Sequence, residues 1–354
     1  MLQNVRIAGT GSYLPPRIVT NDELSSSLDT TDEWIVSHTG IRQRHVAGPE
    51  ESASTMGAIA ARNALEDAGI APEELSLVVV TTCTGDYANF PSTACLVQNA
   101  IGAANAGCMD LNAACAGFTC GLSMARAYCR LHGRPVLVVS SEAMSRVVDW
   151  QDRSTCILFG DGAGAAVLTP SDEPGMIHDC LGADGSGARS IYRECGARLP
   201  ADPHKAPGAL VMQGRAVFPF AVRAMEGLIR KMLAETGTRL EDVAHVIPHQ
   251  ANLRILEAVA KRMDVPVERF FINIGSVANT SSASVPIALD QLSRSGAMKD
   301  GDLVLTVAFG AGLSFGGNMF RWRKHVPMAE TSRRKNVKSP VFDLQTTCKT
   351  AQAG

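Results

Sequence analysis

The chain has 354 residues, 45% hydrophobic and 19% charged, with a net charge of −2. That composition supports one large core or two fused ones, and the balanced charge gives no global electrostatic case for nucleic acid or an acidic membrane surface. No stretch approaches the ~20 apolar residues of a membrane helix. Met1 to Pro16 carries Arg6 with no apolar run behind it, so neither a signal peptide nor an anchor is expected there. Cys108, Cys120, Cys129 and Cys156 sit inside apolar runs, where free Cys behaves as a small hydrophobe. With no CxxC and no zinc-type spacing, the cysteines predict a reducing cytoplasm and no metal.

In chain order, Ser54 to Ala68 reads as a helix closed by Gly69. Leu77-Val78-Val79-Val80 is a short β-branched run, hence a buried strand, and Pro135 to Ser140, Ala165 to Leu168 and Leu303 to Ala308 read alike. Strands alternating with helices predict a layered α/β fold. A repeat refines this. LEDAGIAPEELSLVVV (Leu65 to Val80) aligns without a gap on LAETGTRLEDVAHVIP (Leu233 to Pro248). In each half a buried small-residue helix follows, Ala116 to Tyr128 and Ser282 to Leu292, and then a closing strand. The expected organisation is two similar halves, 1–174 and 175–324, meeting near 170–180. Such a duplication sets equivalent loops around one pseudo-twofold axis and makes a shared site at the junction plausible.

The loops carry candidate chemistry. DLNAACAGF (Asp110 to Phe118) places Cys115 at the start of a buried helix, where the helix dipole favours thiolate. Thiolates attack thioesters and also leave readily, which suits acyl transfer. A buried structural cysteine is the alternative. HVIPHQAN (His245 to Asn252) puts His249 at a strand-to-helix loop with Gln250 and Asn252 beside it, and ANTSSAS (Ala278 to Ser284) puts Asn279 before a second buried helix. Asn279 could donate a hydrogen bond or simply cap a turn. The order Cys, His, Asn would also fit a cysteine protease by residue type, though protease signatures around the Cys are absent.

Together with TDEWIVSHTGIRQRHV (Thr31 to Val46), FPSTAC (Phe90 to Cys95), DWQDRSTCILFGDGAGAAVL (Asp149 to Leu168), GRAVFPFAV (Gly214 to Val222), HQANLRI (His249 to Ile255), NTSSASVP (Asn279 to Pro286) and FGAGLSFG (Phe309 to Gly316), these strings resemble the β-ketoacyl-acyl-carrier-protein synthase III family of the thiolase superfamily, from about Val5 to Arg323. The resemblance implies a thiolase-like fold, an α-β-α-β-α stack of two halves, and an acyltransferase. It implies that Cys115 takes an acyl group from acyl-CoA, that His249 and Asn279 stabilise the enolate left when a malonyl thioester on acyl carrier protein loses CO2, and that the Cys115 and Ala311 amides hold the tetrahedral oxyanion. It implies CoA contacts from Thr30, Trp34, Arg153, Asn252 and Arg254, a Phe90 that closes the partner's acyl pocket in a homodimer, and a basic carrier-protein patch of Arg254, Lys261 and Arg262. CoA and carrier-protein thioesters are substrates, and no cofactor is expected.

GDGAG (Gly160 to Gly164) lacks the Lys-Ser/Thr ending of a phosphate loop. The sequence departs from the family at His38, where relatives often carry Arg, at Pro219, where a Lys is common, and at Ala278, where Gly is usual. The last change implies a loop that avoids left-handed backbone. Residues 325–354 are polar and locally basic without periodicity, so a disordered tail is expected. Two functions stay in view: initiation of fatty-acid synthesis with a short acyl-CoA, and a specialised relative that uses longer acyl groups, transfers acyl to another nucleophile without losing CO2, or acts in secondary metabolism. A scaffold without catalysis fits poorly with an intact Cys115, His249 and Asn279.

Overall fold

The β-branched runs become the strands of two sheets in the computed structural model, which describes residues 4–193 and 208–323. The first sheet contains β1 (Asn4–Tyr13), β2 (Leu77–Thr81), β3 (Gly107–Leu111), β4 (Val136–Glu142) and β5 (Gly162–Ser171), ordered β1-β5-β4-β2-β3. The second contains β6 (Met176–Ala183), β7 (His245–Pro248), β8 (Leu303–Gly310) and β9 (Ser314–Arg321), ordered β7-β8-β9-β6. Read from β6, the second sheet repeats the first in order and direction: β2/β4 and β7/β8 are parallel, and the pairs beyond them antiparallel. A parallel bridge from Val246 to Phe270 stands where β3 stands in the first sheet. Every residue of β2, β4 and β8 is buried, as strands covered on both faces require.

The helices supply three layers. α1 (Asp32–Thr39) buries Ile35 in a separate apolar cluster with Met144 and Ile157, and α2 (Ala53–Ala68) and α3 (Thr93–Ile101) cover the outer face of the first sheet. α4 (Gly117–His132) lies between the sheets, α5 (Gly214–Thr236) and α6 (Leu253–Met263) cover the second sheet from outside, and α7 (Ser284–Arg294) shares the middle layer. The result is an α-β-α-β-α stack, the thiolase-like fold. α2 begins at a Ser52/Thr55 capping box and ends at Gly69 with φ 62°; α5 ends at Gly237 with φ 64°. The middle-layer helices begin later than their sequence patterns suggested. Each is preceded by a 3-10 turn, Ala114–Ala116 before α4 and Ser281–Ala283 before α7. Ala114 and Ser281, at φ 47° and 50°, break the regular helical path there.

These turns meet in the middle layer, and Gly117 lets them. A Cβ on Gly117 would sit 2.9 Å from Thr81 Cβ and 3.2 Å from Ser282 Cβ, closer than packed carbons come. The expected tail, 325–354, lies outside the described residues. Among the described residues, no helix is long and apolar enough to cross a membrane. Gly117→Ala is expected to lower stability by about 1–3 kcal/mol through overpacking. A lower urea midpoint at unchanged slope checks this; an unchanged midpoint contradicts the packing argument.

Candidate active site

The loop ends of both sheets converge on one cavity of about 320 Å³, lined by Cys115, His249, Asn279, Gly310 and Ala311 among others. Its walls are mainly apolar, with Met144, Val147, Leu158 and Phe159 on one side and Ile191, Leu210 and Met212 on another. Cys115 occupies the 3-10 turn before α4, and its Sγ lies 3.4 Å from Ser281 Oγ. The sequence predicted a thiol eased toward thiolate by the helix dipole. Burial pushes the Cys115 thiol up to about 11, opposed by its hydrogen bond with Ser281 and reinforced by the nearby Glu142 carboxylate, so burial works against the easing expected from the helix dipole. The first amides of a helix have no acceptor within it, which leaves the Cys115 N–H available. Gly310, at the end of β8, makes room for it, since a Cβ there would fall 2.6 Å from the Cys115 nitrogen.

His249 follows β7, is buried, and has Phe309 edge-on at 5.3 Å between centroids. Burial lowers its pKa to about 3, so the ring is neutral at physiological pH. Ser284 Oγ lies 2.6 Å from Nδ1 and accepts from the Gln250 N–H at 3.4 Å. Ser284 Oγ can donate to Nδ1 while accepting from Gln250, and in that tautomer the ring proton sits on Nε2, the nitrogen left without a protein partner among the described residues. Asn279 is held by its backbone: its N–H donates to Leu158 O at 3.0 Å and its carbonyl accepts from Gly160 N–H at 3.1 Å. Asn279 Oδ1 accepts from Ser281 N–H at 2.9 Å. Among the described residues Nδ2 has no protein acceptor, so it is the free end of the amide. One thiol therefore faces two neutral N–H donors in a largely apolar chamber.

Models of this architecture match the chain twice: 3-oxoacyl-[acyl-carrier-protein (ACP)] synthase III over residues 109–185, and its C-terminal domain over 233–322. A β-ketoacyl-[acyl-carrier-protein] synthase III of Clostridium acetobutylicum is 43% identical over 329 residues, spanning 91% of this chain and all of that protein. The chain belongs to the β-ketoacyl-acyl-carrier-protein synthase III family. The crystal structure of the Aquifex aeolicus 3-oxoacyl-[acyl-carrier-protein] synthase III superposes with a TM-score of 0.84 at 41% identity, over 90% of this chain and all of that one. The priming β-ketosynthase of the R1128 polyketide pathway superposes at 0.85 and 42% identity, over 91% and 97%.

Of the remaining predicted residues, Asn252 lines the cavity and the others lie outside its lining. Arg153 lies over Trp34 with its guanidinium carbon 4.8 Å from the ring centroid, and His38 stacks on Trp34 at 4.1 Å. Arg254 Nε donates to Ser37 O at 3.0 Å, tying α6 to α1. Asn252 lines the cavity, but its amide is engaged at both ends: Nδ2 donates to His38 O at 3.2 Å, and Oδ1 caps α6 by accepting from Arg254 N–H at 2.8 Å. Thr30 Oγ1 is buried with no hydrogen-bond partner among the described residues. Arg254, Lys261 and Arg262 line up along the exposed face of α6, where Arg262 also pairs with Glu226 at 2.5 Å. Phe90 is 84% exposed, well outside the cavity of its own chain. Sequence reasoning missed Ser281, Ser284 and Glu142. A carboxyl ending the apolar run PVLVVSSE was the available sign for Glu142.

Ala278 overturns an expectation. It was to keep the loop out of left-handed backbone, yet it has φ 58° and ψ −161°, a region that is almost exclusively glycine's. Fixed neighbours force it: Ala278 N–H donates to Ile274 O at 2.9 Å, and Asn279 is paired on both sides. Ala278→Gly is expected to relieve roughly 1–3 kcal/mol of strain, offset by about 0.5–1 kcal/mol of added chain entropy, so melting temperature rises. A fall in melting temperature contradicts the strain.

A second expectation follows from His249. Its depressed pKa favours folding above pH ~6.5, and that contribution fades as pH falls from 6.5 towards about 3, because the unfolded chain takes up the proton first. His249→Gln removes this term. Denaturant titrations of both proteins between pH 7 and 4.5 should find the wild type losing stability more steeply than the variant; parallel curves would mean that the imidazole is not held neutral.

Proposed function

We propose that the synthase joins an acyl group from acyl-CoA to a malonyl group on acyl carrier protein, with loss of CO2, as the initiating condensation of fatty-acid synthesis. One observation carries this reading: a single cavity unites the Cys115 thiol with the free donors of His249 and Asn279. Cys115 attacks the acyl thioester, and CoA leaves as its thiol. The Cys115 and Ala311 amides hold the oxyanion of each tetrahedral intermediate. The malonyl thioester then enters, and its carbonyl oxygen accepts from His249 Nε2–H and Asn279 Nδ2–H. As CO2 departs, those two donors stabilise the enolate. A neutral imidazole and an amide do this without protonating the carbon, which stays free to attack acyl-Cys115. Loss of CO2 drives the step, and the residues named supply the chemistry without a cofactor.

The cavity mouth fits the adenylate end of CoA. Trp34 and Arg153 offer an indole and a guanidinium between which an adenine ring stacks once Arg153 lifts. Arg254 supplies a cation and Asn252 ties α1 to α6, while the buried, unpaired Thr30 hydroxyl reaches a ligand only once its segment shifts. Arg254, Lys261 and Arg262 make a basic strip for an acidic carrier protein, with the Arg262 charge partly met by Glu226. A homodimer is supported by β3, a sheet edge carrying the half-exposed Met109, and by the exposed Phe90, which closes the acyl pocket of the second copy. The reading places the enzyme in the cytoplasm. The specialised alternative keeps the same chemistry and rests on the 42% identity to a polyketide priming synthase.

Incubation with acyl-CoAs from acetyl to dodecanoyl, including branched primers, followed by intact mass, tests the reading. One acyl mass is expected, absent in Cys115→Ser, with short primers loading best. Long acyls alone would favour the specialised alternative, and no adduct on folded, reduced protein would end the covalent mechanism. His249→Ala and Asn279→Ala should still load acyl groups yet release CO2 from malonyl carrier protein about 10²–10³-fold more slowly. Wild-type CO2 release in both would remove them from the enolate site.

A further inference from the structure

Glu142 ends β4 with its side chain fully buried, and the condensation chemistry above leaves it without a task. Five groups donate to its carboxylate: Ser282 Oγ at 2.6 Å, Thr84 Oγ1 at 2.7 Å, Cys83 N–H at 3.0 Å, Ser281 Oγ at 3.2 Å and Thr82 Oγ1 at 3.3 Å. One of those donors is also the partner of the nucleophile, since Ser281 Oγ lies 3.4 Å from Cys115 Sγ. The directions agree along the chain. The thiol can donate to Ser281 Oγ while the Ser281 hydroxyl donates to Glu142 Oε1. Ser281 is held for this by its own N–H, which donates to Asn279 Oδ1 at 2.9 Å, and by a backbone at φ 50°.

We infer that Glu142 accepts the Cys115 proton through Ser281 as the thiol attacks an acyl thioester, and returns it to the departing thiolate. The inference rests on the reading of Cys115 as the acyl carrier. The Cys115 Sγ–C bond forms as the bond from the acyl carbon to the leaving sulfur breaks. The proton moves from Sγ to Ser281 Oγ, the Ser281 proton moves to Oε1, and the reverse shift delivers a proton to the leaving sulfur. No redox partner is required. His249 is a poor substitute, because its Nδ1 faces Ser284 and its ring is already the donor that the enolate needs. Burial raises the Glu142 carboxyl above the ordinary carboxylate range, against the pull of its hydrogen bonds, which suits a group that must hold a proton briefly. The other titratable or charged groups facing this cluster are the Cys83 thiol, which feels both Glu142 and Cys115, the Arg193 charge felt at Cys83, and His249 across the cavity.

The test is the rate at which iodoacetamide alkylates Cys115 between pH 6 and 10, read on the peptide that carries it. With Glu142 as acceptor, the wild-type rate is nearly flat above the carboxyl's titration. Ser281→Ala and Glu142→Gln should each be about 10²-fold slower at pH 7 and rise about tenfold per pH unit, following the thiol itself. Ser282→Ala removes a bond that holds the Glu142 carboxyl down but not the relay, so the flat region should persist with the carboxyl's titration moved to higher pH. A structural role predicts the opposite sign for Glu142→Gln: loss of a neighbouring negative charge would ease ionisation and speed alkylation. That result, or profiles that all rise alike, overturns the inference. If Glu142→Gln does not fold, Ser281→Ala decides alone. Alkylation needs no acyl substrate, so a failure of the protein to take acyl groups would end the condensation reading and leave this result standing.

Discussion

Exclusion of water from the middle helical layer governs the chemistry of this synthase. α4 and α7 are packed between two sheets whose central strands are themselves buried, so the turns that start these helices are largely enclosed, with Ser281–Ala283 buried and Cys115 half-buried. Removing water penalises charge. It pushes the His249 imidazole towards its neutral form and the Cys115 thiol up. The same exclusion strengthens each fixed hydrogen bond, because a donor in an apolar chamber has no competing water. The fold thus sets neutral donors and a thiol in one chamber, the arrangement on which the proposed condensation rests.

Backbone geometry does the positioning that side-chain packing alone could not. Gly117 and Gly310 remove the Cβ atoms that would hold the two turns and the end of β8 apart. Ala114, Ala278 and Ser281 adopt positive φ without being glycine, and all three lie within one residue of Cys115, or beside Asn279 and the hydroxyl between the thiol and Glu142. Strain concentrated at such points is maintained by the fully paired strands around it.

Much of this was legible in the sequence. Apolar run lengths and C-terminal glycines such as Gly69 gave the layered α/β class and the order of its elements. Cys115, His249 and Asn279 stood out because each is a polar or reactive group at the edge of an apolar element. Other features depended on distance through space. Glu142 acquires its partners from Thr84 and Ser282, 58 and 140 residues away, so no local pattern marks it. Burial of Cys115 was not legible, because the helix dipole is a local property and burial is not. Ala278 was misjudged because residue preference yields to a loop anchored at both ends.

The contact between the Gly310 backbone and the Cys115 amide joins the last strands of the chain to a turn formed nearly two hundred residues earlier. Neither half of the chain lines the whole cavity, and a Cβ at Gly310 would fall 2.6 Å from the Cys115 nitrogen. In a recombinant chimera with a relative, the crossover would therefore have to carry the turn at 114–117 and the strand end at 310–312 together. These distant segments form one heritable unit.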